Sequence, residues 1–196
     1  MAATQFTPRV VVFAGPNGAG KSTHADAILA ELNIPTFVNA DYIARGLAGQ
    51  QTDTVALAAG RIMLNRLREL AAAKADFGFE STLSSRSFHP FLLRLKAQGY
   101  HVAIYYFALS SSRLAQRRVK HRVALGGHDV PAEVVKRRFG RSLQNLFQLY
   151  AEIADEWMMF DNSSGHTAQT VAHQANGIET IQDKTLWRKL HTLARN

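Results

Sequence analysis

The chain has 196 residues, of which 46% are hydrophobic and 19% charged, an ordinary composition for one globular domain with a sizeable core. No apolar run approaches the roughly twenty residues that span a bilayer, and no signal-peptide pattern opens the chain. The sequence contains no cysteine, which excludes disulfides and thiol chemistry and is compatible with the cytoplasm, the compartment that we expect.

The formal net charge is +8, and nearly all of the excess lies in one segment. Between Arg113 and Arg141 there are nine lysines and arginines against two acidic residues. A basic balance of this kind raises the question of nucleic-acid binding. No ladder of aromatic residues and no DNA-binding motif accompanies the charge. We therefore expect the basic segment to close over a triphosphate as a lid, and we do not expect a nucleic-acid partner.

The first predicted elements frame a phosphate-binding loop. Residues 1–8 are interpreted as a loose leader, and Arg9 to Ala14 as a buried strand. The next residues fit the P-loop pattern G-x-x-x-x-G-K-[ST], and a helix-forming run follows to Leu32. They are Gly15, Pro16, Asn17, Gly18, Ala19, Gly20, Lys21 and Ser22. Glycines would let the backbone turn tightly and point its N–H groups inward, where a side chain would block a phosphate.

The P-loop predicts binding of ATP or GTP together with Mg²⁺. We expect the residues from Gly15 to Thr23 to surround the phosphates, and the positive end of the following helix to add to the attraction. Lys21 should reach the β- and γ-phosphates, and Ser22 should offer its hydroxyl to Mg²⁺.

Two short strands are predicted to end at the same edge of the sheet as the P-loop. The first, Thr36 to Asn39, leads to Asp41, and the second, Phe77 to Phe79, delivers Glu80, Ser81 and Thr82. Open α/β sheets bind ligands at the carboxyl ends of their strands. These polar side chains are therefore expected to converge on the P-loop side.

The remaining pattern alternates strands with helices. Residues 43–51 are predicted as a loop or broken helix, and Thr52 as the cap of the helix that follows. Predicted helices cover 52–74, 88–98, 110–123, 131–153 and 184–194, and further strands cover 102–109, 157–160, 168–172 and 178–181. Such alternation implies right-handed crossovers and a parallel sheet covered on both faces. We predict a single α/β domain over residues 1–196, with a three-layer P-loop NTPase fold, a mostly parallel sheet of five to six strands and a helical lid at about 111–145.

Arginines on the two basic helices are candidates for contact with the nucleotide. Adjacent glycines at 126–127 separate these helices and suit a hinged lid. We expect Arg122 and Arg138 to neutralise charge on the transferred phosphoryl group, and Arg118 and Arg141 to contact the nucleotide. The alternative is that these arginines form a solvated face.

Asp41 is the candidate general base. A carboxylate within hydrogen-bond reach of an acceptor hydroxyl would take its proton as the new bond forms. The alternative is that Asp41 caps a helix that begins at Tyr42. Glu80 is expected to accept a substrate hydroxyl or to hold Mg²⁺ through water. For Ser81 and Thr82 the residues themselves suggest only capping of the turn after the strand.

Several stretches together resemble the zeta-toxin-like P-loop kinases. The matching stretches are Gly15 to Thr23, Asn39-Ala40-Asp41, Phe79-Glu80-Ser81-Thr82-Leu83, residues 122–131 and Arg138 to Asn145. The resemblance runs from about Val10 to Asn162. Zeta toxins usually carry a glycine where this chain has Ser81, and they are longer, so this chain is similar to a short relative.

The resemblance implies phosphoryl transfer from ATP or GTP to a small hydroxylated acceptor. In the zeta toxins that acceptor is UDP-N-acetylglucosamine, a UDP-activated amino sugar whose phosphorylation starves cell-wall synthesis. The resemblance implies that Asp41 is the base, that Glu80 and Thr82 bind the substrate, and that Arg122 and Arg138 are the paired lid arginines. It also implies an antitoxin protein as a partner.

Two other classes of protein stay open. The P-loop wording also suits an ABC-type ATPase, although Gly46 to Gln50 matches that class's signature poorly and Asp161 is followed by Asn162 instead of a glutamate. A nucleotide-gated protein that binds or repairs RNA or DNA would use the basic segment on a polynucleotide. Its affinity would fall steeply with salt concentration, because binding releases counterions.

Overall fold

The computed structural model describes residues 7–47, 53–127, 129–165 and 167–195. Most of the predicted leader, the predicted cap at Thr52 and the predicted loop at 48–51 lie outside the described residues. The strands are β1 (Arg9–Ala14), β2 (Phe37–Val38), β3 (Phe77–Ser81), β4 (His101–Ala108), β5 (Glu156–Asp161), β6 (Gln169–Ala175) and β7 (Ile178–Ile181). The helices are α1 (Lys21–Glu31), α2 (Ala40–Leu47), α3 (Asp53–Ala72), α4 (His89–Ala97), α5 (Ser112–Ala124), α6 (Ala132–Asn145), α7 (Ala151–Ile153) and α8 (Lys184–Arg195), with a π-helical turn at Leu146–Tyr150 between α6 and α7.

The described strands form one seven-stranded sheet in the order β2-β3-β1-β4-β5-β6-β7. Strands β1 to β5 pair in parallel, whereas β6 pairs antiparallel with both β5 and β7. The predicted mostly parallel α/β sheet is confirmed. The predicted number of five to six strands is wrong, because both C-terminal candidates form strands. They are joined by Asn176-Gly177, which both have positive φ, as a two-residue hairpin turn requires.

Helices cover both faces of the sheet. On one face, α1 packs closely, since a Cβ added at Gly78 would lie 2.8 Å from Leu29 Cδ2 of that helix. On the other face, the ring of Phe79 lies 5.0 Å from that of Phe88, just before α4. Trp157 of β5 stacks on Trp187 of α8 at 5.6 Å. No helix in the described ranges has both the length and the apolar character that crossing a membrane demands.

Side chains from α6 and the π-helical turn hold the segment that follows β3. Ser142, Asn145 and Tyr150 donate hydrogen bonds to the carbonyls of residues 82, 83 and 85, at 2.5, 2.8 and 2.7 Å respectively. Leu83 has a φ of 51°, which is uncommon for a residue with a side chain. The segment 82–85 is therefore held in one specific conformation by three separate donors.

The Tyr150 phenol gives a prediction at alkaline pH. Burial raises the pKa of Tyr150 to about 12 from its ordinary value of 10.0. Below about pH 10 both the folded and the unfolded chain keep this proton, and above it the unfolded chain loses the proton first, so the free energy of unfolding falls until about pH 12. The loss due to this group at about pH 11 is about 1.4 kcal/mol.

Urea unfolding of the wild type and Tyr150→Phe at about pH 9 and about pH 11 measures this effect. The wild type should lose more of its free energy of unfolding than the variant, by the amount given above. Equal losses in the two proteins would show that the Tyr150 phenol is not protected from ionisation.

Candidate nucleotide-binding site

The P-loop joins β1 to α1, where the sequence predicts it. Gly15, Gly18 and Gly20 have φ angles of 133°, 77° and 81°, which glycine adopts without strain. A Cβ at Gly15 would collide with the carbonyl oxygen of Phe107, and a Cβ at Gly20 would collide with Nδ2 of Asn162. Glycine is therefore required here by contacts with the protein itself. This reason differs from the expected one, which is that a side chain at these positions would block a phosphate.

Asn162 holds the P-loop from the turn that follows β5. Its Nδ2 donates to the carbonyl of Ala19 at 2.9 Å, and its backbone N–H donates to the carbonyl of Ala108 at 3.1 Å. The residue is 5% exposed. Sequence reasoning used Asn162 only to separate this chain from the ABC-type ATPases. No local pattern indicates which residue of such a turn faces the P-loop.

The carboxylate of Glu80 reaches the P-loop from the end of β3. Ser22 Oγ donates to Glu80 Oε2 at 2.6 Å, and Asn39 Nδ2 donates to the same oxygen at 2.9 Å. Lys21 Nζ lies 3.4 Å from Glu80 Oε1 and donates to the carbonyl of Pro16 at 3.1 Å. One carboxylate thus connects the lysine and the serine of the P-loop with the end of β2.

The donors at this point suit Mg²⁺. Ser22 and Glu80 offer oxygen atoms, which are the ligands that Mg²⁺ prefers, and proteins often supply only one or two of its ligands beside phosphate and water. No group of three or more His, Cys, Asp and Glu side chains that could hold a metal occurs among the described residues. This arrangement fits an ion that binds together with a nucleotide better than one held by protein ligands alone.

Asn39, and not Asp41, caps α2. The side-chain oxygen of Asn39 accepts from the backbone N–H groups of Asp41 at 2.8 Å and Tyr42 at 3.4 Å, as an N-cap residue does. The alternative interpretation of Asp41 as the cap is therefore wrong. The predicted loop or broken helix at 43–51 is also wrong for its first part, because α2 is continuous there.

The Asp41 side chain stays accessible at the edge of the sheet. It is 42% exposed, and its Oδ2 lies 3.9 Å from Nη1 of Arg122. Arg118, one turn earlier on α5, donates to the carbonyls of Gly18 at 3.4 Å and Ser163 at 3.0 Å. Helix α5 therefore contacts the P-loop with one guanidinium group and Asp41, at the start of α2, with another.

The two candidate arginines of α6 differ in their surroundings. Arg138 is half-buried, and it forms no hydrogen bond or ion pair with any residue in the described ranges. Arg141 is exposed and lines a pocket with Ser84, Ser85 and Arg86. Asn145, which helical spacing places on the same face as these arginines, is 4% exposed and bonded to the segment after β3. Asn145 therefore lies against the protein, and the roles expected for Arg138 and Arg141 stay predictions.

The predicted lid is anchored in the core. Ala115 and Val119 of α5 are buried, as are Val135 and Phe139 of α6. Leu125, at the junction of the two helices, is 76% exposed. Any hinge at the paired glycines would therefore move the junction and leave the roots of both helices in place.

Hydroxyl groups at the end of β3 make local contacts. Ser81 Oγ accepts from the backbone N–H of Leu83 at 3.1 Å, and Thr82 Oγ1 accepts from that of Ser84 at 3.4 Å. Thr82 Oγ1 also lies 2.8 Å from Ser84 Oγ. These contacts shape the turn, in agreement with the capping alternative for Thr82.

Known structures share the fold. The chain superposes on the complex of AvrRxo1-ORF1 and AvrRxo1-ORF2 with ATP with a TM-score of 0.76 at 16% identity, covering 95% of this chain and 64% of that chain. It superposes on the PezAT toxin–antitoxin system of Streptococcus pneumoniae with a TM-score of 0.60 at 13% identity, covering 99% and 90%. The chain thus spans less than two thirds of the first of these proteins. The predicted P-loop fold is confirmed.

Sequence comparison shows the family. An uncharacterized protein of Haemophilus influenzae is 28% identical over 134 residues, which are 67% of this chain and 92% of that protein. Residues 10–149, well over half of the chain, match the family described as AAA domain. The chain therefore belongs to the AAA domain family.

Proposed function

We propose that the chain is a phosphotransferase that moves the γ-phosphate of ATP or GTP to a hydroxyl group of a small acceptor. The observation that carries this proposal is that Glu80, at the end of β3, contacts both Lys21 and Ser22 of the P-loop, while the accessible carboxylate of Asp41, just after β2, lies 3.9 Å from Arg122. A P-loop alone would serve any nucleotide-dependent process. A solvent-accessible carboxylate beside it, next to an arginine, suits transfer to a hydroxyl.

On the donor side, the backbone from Gly15 to Thr23 would bind the phosphates, and Lys21 would contact the β- and γ-phosphates. Ser22 would bind Mg²⁺, with Glu80 holding the ion through water. When bound, Mg²⁺ would neutralise charge on the β- and γ-phosphates. The 2.6 Å hydrogen bond from Ser22 to Glu80 supports this role for Glu80 over direct contact with the acceptor.

On the acceptor side, Asp41 would accept the proton of the hydroxyl. The acceptor oxygen forms its bond to the γ-phosphorus as the bond from that phosphorus to the bridging oxygen breaks, and the nucleoside diphosphate leaves with the electron pair. Arg122, 3.9 Å from Asp41, would stabilise the charge on the transferred group, and Arg138 would assist as the second lid arginine. Arg118 would hold the P-loop through its hydrogen bond to the carbonyl of Gly18.

More specifically, we propose that the reaction is similar to that of the zeta toxins and takes place in the cytoplasm. A UDP-amino sugar is the first acceptor to test, and an antitoxin protein is the proposed partner. The stretches that resemble zeta toxins support this, as does the likeness to a toxin–antitoxin system of Streptococcus pneumoniae. In this proposal Thr82 contributes to the acceptor site mainly by shaping the turn that carries it.

Replacing the base tests the reaction directly. Asp41→Asn should fold and bind ATP but lose about 10² to 10⁴ in turnover, because it removes only the proton acceptor. The measurement is mass spectrometry of a mixture of UDP-sugars and metabolites incubated with the protein and Mg-ATP, in which a species one phosphate heavier should appear. Asp26→Asn, at an exposed aspartate of α1, is the matched control and should keep full activity.

Full activity of Asp41→Asn would show that the base is assigned wrongly. Lys21→Ala should abolish turnover under every enzymatic alternative, so it tests for activity without choosing between mechanisms.

The role of Glu80 is tested by its response to Mg²⁺. Glu80→Gln keeps the shape of the side chain but removes its charge, so the Mg²⁺ concentration for half-maximal activity should rise about tenfold. Glu69→Gln, at an exposed glutamate of α3, is the control. An unchanged Mg²⁺ dependence combined with a raised KM for the acceptor would instead assign Glu80 to substrate binding.

The polynucleotide alternative is separated from the kinase by single arginine variants. Arg122→Gln should lower kcat about 10³-fold and leave ATP affinity unchanged, because its charge acts on the transferred group. Arg113→Gln, at an exposed position of the same helix, should change neither. ATP consumption that RNA stimulates, with RNA affinity that falls steeply as salt rises, would favour the polynucleotide alternative.

A further inference from the structure

A pocket of about 390 Å³ lies beside the segment that follows β3. Its lining residues are Ser84, Ser85, Arg86, Arg141, Gln144 and Asn145. All of these side chains are polar, and two carry a positive charge. No acidic side chain is among the described residues that line the pocket.

The walls of this pocket are held by buried groups. Asn145 is 4% exposed, and its Nδ2 donates to the carbonyl of Leu83. The Tyr150 hydroxyl donates to the carbonyl of Ser85, and the hydroxyl of Ser142, which is fully buried, donates to the carbonyl of Thr82. A site whose backbone is fixed in this way loses little conformational entropy when a ligand binds.

The guanidinium groups of the pocket are available to a ligand. Arg86 and Arg141 are both exposed, and neither forms an ion pair with a residue in the described part of the chain. Guanidinium groups bind phosphate and carboxylate through paired N–H donors. The hydroxyls of Ser84 and Ser85 can donate to the same kind of oxygen, so the chemistry of the lining suits an anion.

The pocket lies close to the proposed reaction site. Ser84 follows Glu80 by four residues, so their Cα atoms are at most about 14 Å apart. Thr82, whose hydroxyl is 2.8 Å from that of Ser84, lies between them. Because β2 and β3 are neighbours in the sheet, an acceptor with its hydroxyl at Asp41 and a second group in this pocket would pass the end of β3.

We propose that Arg86 and Arg141 bind an anionic group of the acceptor, a phosphate or a carboxylate, while its hydroxyl faces Asp41. This inference rests on the proposed function and adds the residues that would recognise a negatively charged group of the acceptor. It assigns Arg141 to the acceptor, whereas the sequence suggests contact with the nucleotide. Neutral hydroxylated compounds would lack the second point of attachment.

Isothermal titration calorimetry tests the pocket without turnover. The protein is first titrated with the non-hydrolysable analogue AMP-PNP and Mg²⁺, which fills the P-loop. Inorganic phosphate and acetate are then titrated separately, so that the anion that binds identifies the group as phosphate or carboxylate. The variants are Arg86→Gln, Arg141→Gln, the double variant and the control Arg137→Gln, at an exposed arginine of α6, each checked by its melting curve.

One of the anions should bind the wild type, each single variant should lower its affinity about tenfold, and the double variant should abolish binding. Arg137→Gln should bind like the wild type. Binding of neither anion, or binding that survives in the double variant, would overturn the proposal. Failure of AMP-PNP to bind would contradict the proposed function but not the anion pocket. The pocket is tested separately, by the difference in anion binding between the wild type and the double variant.

Discussion

The site depends on the packing of the P-loop against the strands beside β1. The Phe107 carbonyl of β4 occupies the space where Gly15 would carry a side chain, and Asn162 after β5 does the same at Gly20. Asn162 also satisfies the carbonyl of Ala19. A buried carbonyl that loses its partner costs about 1–3 kcal/mol. The conformation of the P-loop is therefore determined by contacts with β4 and with the turn after β5, as well as by its own glycines.

The same packing determines what surrounds Lys21. At 5% exposure its ammonium group cannot rely on water, and a buried charge without partners is strongly unfavourable. Glu80 and the carbonyl of Pro16 supply those partners. In the proposed reaction a triphosphate offers Lys21 another anion, and Glu80 remains bonded to Ser22 and Asn39. The carboxylate thus compensates the charge of Lys21 when no nucleotide is bound, and it stays positioned for Mg²⁺ when one is bound.

The sequence predicts those parts of the site that depend on local motifs and on the ends of strands. The P-loop, β1, and the positions of Asp41 and Glu80 at strand ends follow from motif and strand order. The contacts of Asn162 with Ala19 and of Asn145 with Leu83 join residues far apart in the chain, and no periodicity reveals them. Helical spacing placed Asn145 with the arginines but could not show that its end of the helix is buried. Asn176-Gly177 is a turn signal typical of a two-residue hairpin. It indicates antiparallel pairing of β6 with β7, whereas the alternation of strands and helices predicts parallel strands.

Helix α5 connects the two halves of the proposed chemistry. Arg118 and Arg122 are four residues apart, so they lie on one face of the helix about one turn from each other. The first contacts Gly18 of the P-loop, and the second lies 3.9 Å from Asp41. Ala115 and Val119 fix the helix in the core, so both guanidinium groups project from one anchored element. Donor and acceptor can then be aligned by one helix.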